Sequence, residues 1–112
     1  MRRGIRLAVS GLLAASLFGA VPQALAGPRF VGTNVAAKDN FFAPKTVTIT
    51  VGTKVKWTNK GFVDHTTTSD TGAWSKKLAP GQTFVYTFNT PGTYSYHCKF
   101  HFGMNGKVIV NP

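Results

Sequence analysis

The chain has 112 residues, with 13 Lys or Arg against three Asp, a single cysteine and a formal charge of +10. That length suits one domain, and a lone Cys98 excludes an internal disulfide as the device that holds a small core together. The lysines are scattered rather than blocked, so the charge reads as solvation and attraction to an acidic partner, not as a nucleic-acid site.

Met1 to Arg6 carries three arginines, and Leu7 to Val21 is an uncharged run rich in Leu and Ala. Ala24-Leu25-Ala26 then supplies the small-x-small pattern that signal peptidase cuts. An apolar run of 15 residues is short for a membrane span. The expectation is a cleaved signal peptide over residues 1–26 and a mature domain over residues 27–112, exported to a periplasm or secreted, with no stable membrane insertion. Arg2-Arg3 is followed by Gly4-Ile5-Arg6, a poor twin-arginine sequel that favours the ordinary secretory route. Removing Arg2, Arg3 and Arg6 takes the net charge to +7. A mature chain this small buries only about 60–65% of its unfolded surface. Its free thiol needs a partner in an oxidising compartment, and a metal would supply one.

Period-two alternation dominates the mature segment. Thr46 to Val51 puts Val47, Ile49 and Val51 on one face, and Lys54 to Thr58 turns Val55 and Trp57 inward. His65-Thr66-Thr67-Thr68 is β-rich. Thr83 to Phe88 aligns Phe84, Tyr86 and Phe88; Tyr94 to Cys98 aligns Tyr94, Tyr96 and Cys98; Lys107 to Val110 is a final β-rich run. Breaks at Val51-Gly52-Thr53, Asn59-Lys60-Gly61, Ala79-Pro80-Gly81 and Thr90-Pro91-Gly92 separate these runs. Short strands at even spacing predict an antiparallel sandwich or barrel, and no mature segment keeps a helical period.

Cys98-Lys99-Phe100-His101-Phe102-Gly103-Met104 places a thiolate, an imidazole and a thioether at a Cys-x2-His-x2-Met spacing, in a tight loop between two strands. His65 adds a second imidazole from upstream. Two neutral nitrogens, one thiolate and one weak axial thioether form the donor set of a blue-copper site. His97 neighbours Cys98, but strand alternation turns it to the opposite face, away from the same metal.

This segment resembles the ligand loop of the cupredoxins, and its short His-x2-Met spacing is most similar to the amicyanin branch; plastocyanin and pseudoazurin have a longer gap. Asn40-Phe41-Phe42-Ala43-Pro44, the His65 region, Pro80-Gly81 and Pro91-Gly92-Thr93-Tyr94 extend the likeness over nearly all of the mature chain. The resemblance implies a Greek-key β-sandwich with one copper ion cycling between Cu(I) and Cu(II). It makes His65, Cys98 and His101 the close ligands and Met104 the axial one. It also implies a carrier of single electrons between a protein donor and acceptor; the chain is expected to be a monomer, and its surplus of lysines points to an acidic docking surface on the partner. Thr66 stands where the family usually has Asn, and Phe100 and Phe102 replace prolines common in its loop.

Two other functions compete. A copper storage or delivery protein would be expected to offer several Met or paired Cys, and only Met104 follows the signal. A copper enzyme needs further histidines for a second ion, and only His97 remains. No carboxylate pair or Ser/His/Asp set suggests hydrolysis. Trp74 follows Gly72-Ala73 in a stretch without periodicity, so its role is left open here.

Overall fold

Alternation becomes nine strands in the computed structural model, which describes residues 29–112. The signal peptide expected over residues 1–26 lies outside these residues. The strands are β1 (Thr33–Lys38), β2 (Phe41–Ala43), β3 (Thr46–Thr50), β4 (Lys54–Asn59), β5 (His65–Ser69), β6 (Ser75–Leu78), β7 (Thr83–Thr87), β8 (Gly92–His97) and β9 (Asn105–Asn111). One sheet runs β2-β1-β4-β7 and the other β3-β9-β8-β5-β6. No described residue is helical.

Each predicted strand forms with the expected face inward. Val47, Ile49, Val55, Trp57, Val108 and Val110 are all buried. Val51 is the exception, at 40% exposed, because β3 ends at Thr50 and the chain turns away through Gly52 at φ 92°. The pairing is not wholly antiparallel: β1 lies parallel to β4, and β3 parallel to β9. After β2 pairs back on β1, the chain crosses to the other sheet as β3 and returns as β4. This excursion through the other sheet is the kind of crossover that a parallel neighbour needs. Alternation specifies a buried face and not a neighbour, so this was beyond the pattern.

Strands β1, β2 and β6 carry the weakest signals. β6 offers only Leu78 as a buried residue, and β2 is three residues long. They are set by their neighbours: β6 pairs with β5 from His65↔Leu78 to Thr68↔Ser75.

The two inner faces meet through aromatic rings, making the expected all-β sandwich. Trp57 of β4 contacts Tyr96 of β8 edge-on at 5.3 Å, and Phe42 of β2 contacts Tyr96 at 4.7 Å. Trp74 belongs to this core. It is 6% exposed, packs on Trp57, Tyr86 and Phe88 at 5.5, 4.9 and 5.4 Å, and donates its indole N–H to Thr67 Oγ1 at 2.9 Å. Tyr96 sits directly against Gly106, its partner across β8 and β9, where a Cβ would overlap the phenol. Its hydroxyl and Trp57 Nε1 are both buried without a hydrogen bond of good geometry. Burial pushes the Tyr96 phenol up to about 12, and the nearby indole N–H opposes that rise.

Candidate metal centre

The site forms at one end of the second sheet, where β5 begins and β8 ends. His65 opens β5, fully buried, and Cys98 follows the last residue of β8. The loop between β8 and β9 closes on itself: Met104 N–H donates to the His101 carbonyl at 3.2 Å, and Cys98 N–H donates to the Met104 carbonyl at 2.9 Å. These two bonds fold a seven-residue spacing into one cluster. They explain why a thiol, an imidazole and a thioether three residues apart come from the same loop.

His65, Cys98 and His101 bring one donor atom each within 4.8 Å of one another. The Cys98 sulfur lies 3.8 Å from His65 Nδ1 and 3.5 Å from His101 Nδ1. The imidazole rings are tilted against each other, with centroids 4.7 Å apart. Three donors arranged trigonally around one ion, with bonds of about 2.0–2.1 Å to nitrogen and about 2.3 Å to sulfur, would be separated by roughly 3.6–3.8 Å. The observed spacings fit a single metal ion. Met104, the last residue of the loop, is buried, 1% exposed. His65, Cys98 and His101 offer the two imidazoles and one thiolate of a blue-copper donor set, and the same loop carries the Met104 thioether.

A second layer of contacts fixes the donors. Thr66 N–H points at the Cys98 sulfur at 3.3 Å, favouring electron density on it. The Thr66 hydroxyl accepts from Lys99 N–H at 2.8 Å and from the Thr68 hydroxyl at 3.0 Å. Thr66 therefore ties the His65 strand to the Cys98 loop.

His65 Nε2 meets Asp39 Oδ1 at 2.8 Å. The same carboxylate accepts from Phe62 N–H, 3.1 Å from each oxygen. The bond to His65, and next the bond from Phe62, hold the Asp39 carboxyl below the usual carboxylate range. Sequence reasoning passed over Asp39 because it lies 26 residues from His65, at the end of a weakly patterned strand. The one local signal is the turn after it, where Asn40 takes φ 79°.

His97 does not join the cluster. Its ring turns outward and its Nδ1 pairs with Asp70 Oδ1 at 2.6 Å, so the expected outward orientation holds and the ring has gained a partner. His101 is half-buried, while Phe100 and Phe102 beside it are 53% and 109% exposed. A concavity of about 540 Å3 opens along this loop, lined by His101 and both phenylalanines among others.

A profile of the cupredoxin-like domain matches residues 9–110. Amicyanin-alpha of Methylorubrum extorquens is 38% identical over 104 residues, covering 88% of this chain and 84% of that protein. A chloroplastic plastocyanin of Tetradesmus obliquus is 37% identical over 83 residues, covering 62% of this chain and 57% of that protein. Among solved structures, a purple cupredoxin from Nitrosopumilus maritimus superposes with a TM-score of 0.65 at 30% identity, covering 70% of this chain and 99% of that one.

Proposed function

This chain belongs to the cupredoxin family, and from that premise we propose that it is an exported blue-copper protein carrying single electrons between larger redox proteins. The observation that carries the reading is the convergence of His65 Nδ1, His101 Nδ1 and the Cys98 sulfur at spacings suited to one ion. His65, Cys98 and His101 would hold the ion, with the Met104 thioether as a fourth, weaker donor. Copper held by these residues would supply one-electron chemistry between Cu(II) and Cu(I). The chain's own part is to hold the donors still. The closed 98–104 loop, Thr66 and the buried start of β5 limit how far the donors can rearrange between the two states. Carriage suits this architecture better than catalysis: among the described residues there is one cluster of His, Cys, Asp or Glu able to hold an ion, and His97 is engaged by Asp70.

The mature protein begins at Gly27. Intact mass of the exported product is expected to correspond to residues 27–112, and a product that keeps Leu7 to Val21 would overturn the expected cleavage. Titration of the apoprotein with Cu(II) is expected to give one equivalent of an intensely blue species that cycles reversibly by one electron. A storage or delivery protein would release the ion to a competing chelator and show no such colour.

The docking face is the edge of the ligand loop. Phe100 and Phe102 are exposed beside His101, the ligand nearest solvent, and an apolar rim lets a partner approach closely without holding on. The surplus of lysines adds attraction to an acidic partner. Phe100→Ser and Phe102→Ser are expected to slow electron transfer with the physiological donor while leaving the visible spectrum intact. Added salt should slow association of the wild type, because exposed charges are screened beyond about 8–10 Å near physiological ionic strength. Stopped-flow kinetics reads both effects. Unchanged rates for both variants would move the docking face elsewhere.

A further inference from the structure

His65 is fully buried and uses one ring nitrogen, Nδ1, toward the sulfur of Cys98. An imidazole can present a lone pair there only if its proton sits on Nε2. The group facing Nε2 is Asp39, which also collects the Phe62 N–H on both carboxylate oxygens. An ionised carboxylate only accepts hydrogen bonds, so this contact selects the Nε2–H form of His65.

The contact is built from several directions. Asn59 is buried at the end of β4 and donates its side-chain amide to the carbonyls of Val63 at 2.8 Å and Leu78 at 2.7 Å. Its side-chain oxygen accepts Gly61 N–H at 2.8 Å. Lys60 N–H meanwhile donates to the Ala37 carbonyl at 2.8 Å, two residues before Asp39. The loop from Lys60 to Asp64 is thereby laid across the Asp39 carboxylate. It can lie there because residue 61 is glycine: a Cβ at that position would overlap Asp39 Oδ1, would stand 2.8 Å from Asp39 Cγ and would stand 3.0 Å from His65 Nε2.

We propose that Asp39 is a positioning residue of the centre, fixing the tautomer and orientation of His65 and lowering the reduction potential with its negative charge, and that Gly61 is the residue that admits it. The inference rests on the copper reading above. A carboxylate hydrogen-bonded to a ligand imidazole makes the ring a stronger donor, and negative charge near the ion favours Cu(II) over Cu(I). No local spacing between Asp39 and His65 encodes this pairing; the fold of the β4–β5 loop creates it.

The test uses the mature protein with Asp39→Asn, Asp39→Ala and Gly61→Ala. In the metal-free form, nitrogen-15 NMR reports which ring nitrogen of His65 carries the proton. Wild type and Asp39→Asn, which keeps an acceptor oxygen, are expected to hold it on Nε2, whereas Asp39→Ala and Gly61→Ala lose that preference. In the copper form, Asp39→Asn and Asp39→Ala are expected to raise the Cu(I)/Cu(II) ratio at fixed potential about tenfold, which is about 59 mV for a one-electron couple. Gly61→Ala shifts it in the same direction and adds little once Asp39 is already Ala, the mark of two residues acting through one contact. Retention of the Nε2 proton in Asp39→Ala overturns the proposal, and so does a ratio within twofold of wild type in Asp39→Asn; the Asn variant, close in shape, decides the matter if Asp39→Ala does not fold. A wild type without the blue colour would sink the functional reading, while NMR of the metal-free form still decides the link between Asp39 and His65.

Discussion

Cys98→Ser is expected to abolish essentially all of the visible absorption of the copper-loaded protein. The colour of a blue-copper centre comes from charge transfer out of a thiolate, and a serine hydroxyl at the same position offers neither a soft sulfur donor nor a readily ionised group. The substitution is nearly isosteric. The backbone N–H of Thr66, now 3.3 Å from the sulfur, can donate to the new oxygen, and the Cys98 N–H bond to the Met104 carbonyl involves no side chain. The fold is therefore expected to survive, with far-UV circular dichroism of the metal-free form unchanged. Absorption spectroscopy of wild type and variant at equal copper loading checks this. A Cys98→Ser protein that keeps the blue band would remove Cys98 from the ligand set and with it the proposed chemistry. Met104 is the contrasting position, because in the proposed site its thioether would be the weakest of the four donors. Losing it leaves the source of the colour in place.

Trp74→Ala is expected to have the largest effect on stability. The indole is 6% exposed and touches rings from both sheets, and its N–H is committed to Thr67 Oγ1. Truncating a buried Trp to Ala costs about 3–5 kcal/mol, against a total of about 5–15 kcal/mol for a typical domain. In a domain of this size that corresponds to a fall of at least ~12 °C in Tm, at about 4 °C per kcal/mol. Trp74→Phe should cost less, since it refills most of the space and forfeits chiefly the bond to Thr67. Urea unfolding of the metal-free protein measures both. A loss below about 1 kcal/mol for Trp74→Ala would mean that the sandwich closes over the gap without Trp74. The effect should reach the metal centre, because Thr67 lies in β5 two residues from His65.

The strands that alternate strongly were legible because each residue reports its own face. Val55 and Trp57 follow from Lys54-Val55-Lys56-Trp57-Thr58 with no knowledge of what covers them. Trp74 was not legible. It precedes β6, whose Ser75-Lys76-Lys77-Leu78 reads as solvated surface, and its burial depends on rings brought from β4, β7 and β8. Val51 shows the converse error, in which a pattern runs one residue past the place where a turn ends the strand. The parallel pairs β1·β4 and β3·β9 were equally out of reach, since alternation carries no information about partner or direction.

By itself the sequence determined the candidate donor types and their order along the chain. Cys98, His101 and Met104 lie within seven residues, so a short loop had to bring them close, and the β-rich flanks excluded a helix as the way to do it. It likewise determined that His97, one residue from Cys98, would point the other way. Tertiary structure decided what surrounds those donors. It brought His65 to Cys98 across 33 residues, gave Thr66 both the sulfur and the Lys99 amide, and set Asp39 against the far nitrogen of His65 under a glycine. The division has a physical cause. Local spacing fixes only what a few backbone torsions can bring together, whereas contacts between distant segments depend on which strands pair, in which register, and on how closely two backbones can pass.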